Sequence, residues 1–267
     1  MQQDLENSAP ITLTAVTVAY RSYQKRPTSL KETILKLLTQ GKVKYYSTLD
    51  ALSGLTLSVK KGSVLGIIGS NGSGKSTLLK VLAQVLKPTS GKVTIQGTVA
   101  SLIDLGVGFD HELNAIENIY LNGSLYGRTR AQIEARVPGI IEFSELQDFS
   151  ETPIKYFSSG MVARLGFACA IDVNPDILLV DEVLSVGDER FQQKCHDRIQ
   201  QFLKTDRTVI MVSHDMKVIE EMCDEVAVLS RGQLIYLGAA AEAIACYRDE
   251  HYQTRLGAHF DNPQVIV

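Results

Sequence analysis

Residues 69 to 76 read GSNGSGKS, three glycines, a lysine and a terminal hydroxyl in the spacing G-x-x-x-x-G-K-[ST]. The chemistry this pattern suits is the grip on a row of phosphates. Gly69, Gly72 and Gly74 let backbone N–H groups curl around phosphate oxygens, with Ser70, Asn71 and Ser73 completing the loop between them. Lys75 reaches the β and γ phosphates, Ser76 offers a hydroxyl to Mg²⁺, and Thr77 follows it in the same turn. The helix that the loop opens points its positive end at the triphosphate.

A second stretch supplies what a phosphate cradle lacks. ILLVDE at 177–182 is an apolar run ending in two carboxylates, and the carboxyl end of a buried strand is where α/β folds place ligands. Asp181 there can hold the Mg²⁺ shell, while Glu182 accepts a hydrogen bond from an attacking water. An apolar strand ending in Asp-Glu is common by itself; a phosphate loop upstream makes this one the catalytic pair. His214 closes another apolar run, TVIMVSH, at the same sheet edge and could donate to a γ-phosphate, although a lone strand-end histidine is more often structural. A third stretch, FSSGMVAR at 157–164, sets Ser158, Ser159 and Gly160 at a helix N-terminus, where hydroxyls, amides and dipole all face an anion.

The elements that must position these groups are legible in the periodicities. Strands are expected at 11–20, 52–59 and 63–69, a helix over KSTLLKVLAQVL at 75–86, and short strands in GKVTIQG and TVASLIDLG. From about residue 112 to 170 the pattern is helical, and strands resume at 177 and 208. Strands alternating with helices imply a parallel sheet, so the helical block reads as an inserted subdomain. DEVAVLSRGQLIYLG is expected to close the sheet as a hairpin, followed by a helix near AAAEAIACYRDEH and a short tail from 246 to 267. Between the first two strands, Leu30, Ile34, Leu37 and Leu38 recur at helical spacing, so a helix over about 29–40 either covers the core or docks a partner.

Composition sets the bounds. Hydrophobic residues are 45% and charged residues 21% of 267, the balance of an ordinary folded protein. A net charge of −3 leaves no electrostatic footprint for nucleic acid. Cys169, Cys195, Cys223 and Cys246 lie far apart without C-x-x-C spacing and no secretory leader is read at the start, so neither a zinc site nor a disulfide framework is expected and a reducing cytoplasm is the simpler reading. No run approaches the roughly 18 apolar residues of a membrane-spanning helix, so any work at a membrane is expected to go through a partner.

In order and spacing GSNGSGKST, FSSGMVAR, ILLVDE, SVGD at 185–188 and SHD at 213–215 resemble an ABC transporter nucleotide-binding subunit over about residues 11–245. The resemblance implies an α/β P-loop NTPase (RecA-like) core with an antiparallel β subdomain and an inserted α-helical subdomain. It implies that FSSGMVAR takes the place of the LSGGQ signature, which covers ATP bound to the opposite subunit, and that Ser185 and Asp188 join that site. Ser159 stands for the signature's first glycine and Met161 for its glutamine. Asp104 in SLIDLGVGF is the nearest polar side chain to the usual Q-loop glutamine, hence a further candidate near the metal. An aromatic normally stacks on adenine; Tyr20 and Tyr23 compete for that place by position after the first strand, and Tyr46 by distance from the loop.

LIDLGVGFDHEL, ENIYLNG, YFSSGM and VDEVLSVGD together are similar to the subfamily that exports lipid-linked polysaccharides, the O-antigen and teichoic-acid exporters. That likeness implies a homodimeric, Mg²⁺-dependent ATPase at the cytoplasmic face of the inner membrane. It would be attached to two copies of a separate permease and would drive an undecaprenyl-diphosphate-linked glycan across. Some such exporters carry a C-terminal carbohydrate-binding β-domain, which is expected to be missing here. The rival readings are the ATPase subunit of an importer or drug exporter, which would bring the glutamine and LSGGQ absent here, and a soluble ABC ATPase, which would bring two cassettes or coiled coils.

Overall fold

The computed structural model describes residues 9–23, 46–181 apart from 104 and 107, and 187–255. The expected helix near 29–40, together with Asp104, Glu182 and Ser185, lies outside them. β1 (Ile11–Tyr23) and β2 (Tyr46–Val59) form a long antiparallel ribbon, in register from Ile11 against Val59 to Tyr23 against Tyr46. Both run beyond the stretches whose alternation marks them as strands, because each supplies the other's hydrogen bonds along its whole length. Ala15 (φ +48°) and Gly54 (φ +63°) sit beside the register shifts that bend the ribbon.

β3 (Val64–Gly69) leads through the glycine loop into α1 (Lys75–Leu82). This helix stops short of residue 86. Gln84 takes left-handed backbone (φ +59°), and the N–H groups of Val85 and Leu86 both turn back to the Lys80 carbonyl. β4 (Ser90–Ile95) pairs with β1, making a three-stranded sheet in the order β2-β1-β4. β5 (Val99–Ser101) is shorter than its apolar run and joins the other sheet.

A helical block follows: α2 (Ala115–Leu125), α3 (Arg130–Glu134), α4 (Val137–Ser144) and α5 (Ser159–Asp172). Ile119, Ile133, Ile140, Ile154 and Leu165 form its interior. Asn118 is fully buried there and satisfied: its amide nitrogen donates to the carbonyls of Asp110, Leu113 and Asn114, and its oxygen accepts from the Asp110 N–H. One side chain thus fixes the loop entering the block.

The chain returns as β6 (Ile177–Val180), α6 (Glu189–Leu203), β7 (Thr208–Val212), α7 (Met216–Met222), β8 (Glu225–Ser230), β9 (Gln233–Gly238) and α8 (Ala240–Arg255). The six-stranded sheet runs β5-β6-β7-β3-β8-β9, parallel except for β9. Its central strands read as unbroken apolar runs because both faces are covered. Val64, Leu178, Val209 and Val226 pack on the side of α6 and α8, whereas Leu65, Leu179, Ile210 and Ala227 pack toward α1 and the antiparallel sheet.

Asp176 ties the foot of β6 to its neighbours. Its carboxylate accepts from the Thr98 N–H and hydroxyl, both at 2.8 Å, and lies 3.4 Å from Arg207. The Thr98 backbone N–H above all holds its carboxyl below the usual range. A depressed folded-state pKa contributes stability above the unfolded value and loses it as pH falls. Asp176→Asn should therefore lower the melting temperature by about 1–3 °C at pH 7, with the gap closing below about pH 4. A gap that persists unchanged in acid would show that the charge is not what the joint uses.

Candidate functional site

The glycine loop between β3 and α1 is shaped by what surrounds it. Gly74, the N-cap of α1, has φ +108°, and a Cβ there would stand 2.6 Å from the Ala51 carbonyl. Gly69 is similarly confined, since its Cβ would meet Ser73 Oγ at 2.6 Å. No side chain caps α1, so its first N–H groups are left for a ligand. Lys75, only 8% exposed, folds its ammonium over the loop and donates to the carbonyls of Gly69 (2.7 Å) and Ser70 (3.1 Å).

Around this loop opens a cavity of about 790 Å³. Asn71, Gly72, Gly74, Lys75, Ser76 and Thr77 line it from the loop and α1, Asp181 and His214 from the ends of β6 and β7, and Tyr20 from β1. Sequence candidates from the loop and α1 and from β6, β7 and β1 thus meet in one space. The parallel sheet explains how: β6, β7, β3 and β8 lie side by side, and their carboxyl ends deliver Asp181, His214, the loop and Arg231 in that order. Tyr20 is 42% exposed on the cavity wall. The side chains of Tyr23 and Tyr46 lie outside the described ones.

Ser158, Ser159, Gly160 and Asp188 do not line this cavity. Ser158 caps α5, its hydroxyl accepting from the Met161 N–H at 3.2 Å, and Ser158 and Ser159 are exposed. The Asp188 carboxylate accepts from the Phe191 N–H (2.9 Å), which lowers its pKa most, and from Arg164 (3.0 Å). Arg164 in turn donates to Glu145 at 3.0 Å and lies 4.7 Å from the Phe191 ring.

Sequence reasoning missed Leu49, Asp50, Ala51 and Arg231, which also line the cavity. The first three come with Tyr20, because the ribbon places Tyr20 against Leu49 and Ala19 against Asp50; the pairing was not legible across the intervening segment. Arg231 follows a core strand, and that position was its one signal.

The fold and this loop define a P-loop ATP-binding cassette. The ABC transporter family profile matches residues 52–185, and the chain belongs to that family. It is 46% identical over 198 residues to the O-antigen export system ATP-binding protein RfbB of Klebsiella pneumoniae, covering 74% of this chain and 80% of that protein. It is 42% identical to a Myxococcus xanthus protein of the same name, over 86% of this chain and 54% of the relative, and so spans about half that relative's length. The teichoic acids export ATP-binding protein TagH of Levilactobacillus brevis is 40% identical over 92% of this chain and 66% of its own. Among solved structures, a dimeric ATP-binding cassette in a post-hydrolysis state with ADP and Pi superposes with a TM-score of 0.66 at 22% identity, over 86% of this chain and 98% of that one.

Ser73 gives a check on how the loop works. Its hydroxyl is buried, at 2% exposure, and finds no hydrogen-bond partner among the described residues. Its backbone, whose carbonyl accepts from the Gly232 N–H at 2.9 Å, is what the loop uses. Ser73→Ala should raise stability by about 1 kcal/mol by removing an unsatisfied buried group, with nucleotide affinity by titration unchanged. A weakened affinity would place the hydroxyl itself on the ligand.

Proposed function

We propose that this chain is the ATP-hydrolysing subunit of an exporter of lipid-linked polysaccharide. The observation that carries the ATPase reading is the single cavity in which Lys75, Ser76, Asp181, His214 and Tyr20 converge. ATP would exchange its β- and γ-oxygens for the two carbonyls that Lys75 now holds, and its phosphates would accept the uncapped N–H groups of α1. The Ser76 hydroxyl and the Asp181 carboxylate are hard oxygen donors on one cavity, a set that suits Mg²⁺ shared with phosphate. Bound Mg²⁺ supplies neutralisation of the charge on the β- and γ-oxygens. Glu182 orients a water and takes its proton as the water oxygen bonds to the γ-phosphorus. The bond to the β–γ bridging oxygen breaks, and ADP leaves with the electron pair. His214 donates to the γ-phosphate, and Tyr20 offers a face to adenine.

The signature turn supports a homodimer: Ser158, Ser159 and Gly160 present an anion-seeking helix end away from their own chain's cavity, where a second copy's ATP could meet it. ATP would close the pair and hydrolysis reopen it. No helix among the described residues is long and apolar enough to cross a membrane, so transport would need two copies of a separate permease, holding this subunit at the cytoplasmic face. Exposed Val85 and Tyr126 rim a cleft between the core and the helical block that suits a permease helix. The relatives' names, O-antigen and teichoic acids export, favour a glycan as cargo, and the sequence resemblance makes undecaprenyl diphosphate its lipid carrier.

Reconstitution with the permease in vesicles tests the whole reading, which requires ATP-dependent movement of the lipid-linked glycan; cells deleted for this chain that still display the glycan would refute it. Glu182→Gln should bind ATP, hydrolyse it at least about a hundredfold more slowly and accumulate as a dimer; wild-type turnover would move the base elsewhere. Gly160→Asp should abolish ATP-driven dimerisation while each monomer still binds ATP, because the added carboxylate would oppose the partner's γ-phosphate. An equal fall in monomer affinity would contradict the role across the interface.

A further inference from the structure

The hairpin of β8 and β9 turns through only Arg231 and Gly232, with φ of +47° and +80°. Left-handed backbone at both central residues marks a type I′ turn, whose preferred first residue is Asn, Asp or Gly. Arginine there is strained by its Cβ and is a poor choice for the turn alone. The turn is also held rigidly. The Gly232 N–H donates to the Ser73 carbonyl (2.9 Å), its carbonyl accepts from the Ser53 N–H (2.8 Å), and Gly232 itself is buried. Arg231, exposed beside this clamp, lines the nucleotide cavity, and among the described residues no hydrogen bond or ion pair engages its guanidinium.

Sheet order fixes which part of a nucleotide it meets. Asp181 and His214 flank the loop on the β6 and β7 side, where the γ-phosphate must lie, while Arg231 flanks it on the β8 side. Its turn touches the wall formed by Ala51 and Leu52, the strand paired with the one carrying Tyr20. We infer that Arg231 is a second phosphate-binding cation of the site, directed at the α-phosphate where it joins the ribose, a group common to ATP and ADP. A guanidinium suits it, since it offers a planar set of donors to phosphate oxygens. This inference rests on the nucleotide reading of the cavity and adds to it a residue outside the glycine loop.

The test is calorimetric titration of the purified chain with MgATP and with MgADP, alongside melting curves without nucleotide. Arg231→Asn should melt higher than wild type, since Asn-Gly is the favoured turn, yet bind both nucleotides about five- to tenfold more weakly. Arg231→Lys, which keeps the charge but not the planar set of donors, should recover only part of that loss. Unchanged affinity in Arg231→Asn would make the arginine a surface turn residue, and a loss confined to MgATP would move it to the γ-phosphate; either overturns the inference. A wild-type chain that binds neither nucleotide would instead overturn the reading of the cavity.

Discussion

A loop that offers its N–H groups to a ligand cannot spend them on itself, and the structure around residues 69–75 is organised by that constraint. No side chain caps α1, and the shape of the loop before it is imposed from outside. β2 stands against Gly74 through Ala51 and Leu52, and the β8–β9 turn presses on the loop through the hydrogen bond from the Gly232 N–H to Ser73. The antiparallel sheet is therefore a wall of the phosphate site as well as a cover for the core. Lys75 meets the same constraint from inside. Its ammonium is satisfied by two loop carbonyls that a triphosphate can replace without leaving a buried charge unpaired.

The helical block is joined to this core by a small polar and aromatic cluster. Phe143 from α4, Phe167 from α5 and Phe191 from α6 pack with ring centroids 5.9 to 6.4 Å apart. Over them lie Arg164 and Lys194, both bonded to Glu145, with Arg164 also reaching Asp188. Arg164 belongs to the helix opened by Ser158, and Asp188 closes the stretch that begins with Glu182. Any rotation of the block about the core must therefore carry or break ion pairs that touch both the helix opened by Ser158 and the stretch between β6 and α6. Those pairs are partly exposed, so their cost is modest and the joint can move.

How much of this was legible in the sequence follows from what kind of signal each part leaves. The loop, Asp181 and His214 were readable because contiguous spacing and strand-end position encode them. The parallel core was readable because strands covered on both faces become continuous apolar runs. The lengths of β1 and β2 were not, since their extensions depend on each other across more than twenty intervening residues. The early end of α1 was hidden too: Gln84 is an ordinary helix former that here takes left-handed backbone, in a reversal whose N–H groups are satisfied by the Lys80 carbonyl. Arg231 left only its position after a core strand, because a cavity wall assembled from strands of both sheets has no footprint in any one of them.

Two glycines on α5 show how internal and external demands can be told apart. Gly166 is required by its own chain, since a Cβ there would stand 2.7 Å from the Gly106 backbone nitrogen, where the helix crosses the loop before the block. Gly160 is different. It does not adopt left-handed backbone, and a Cβ would approach nothing nearer than Ser158 Oγ at 3.8 Å. Glycine in a helix costs up to about 1 kcal/mol relative to alanine, so within the monomer this position is a loss without a visible return. A need for close approach by a second body would supply the return, and the positive end of the helix dipole makes an anion the body that fits. Ser159, exposed beside it, leaves the same path open, with a hydroxyl available where a glycine would offer only backbone.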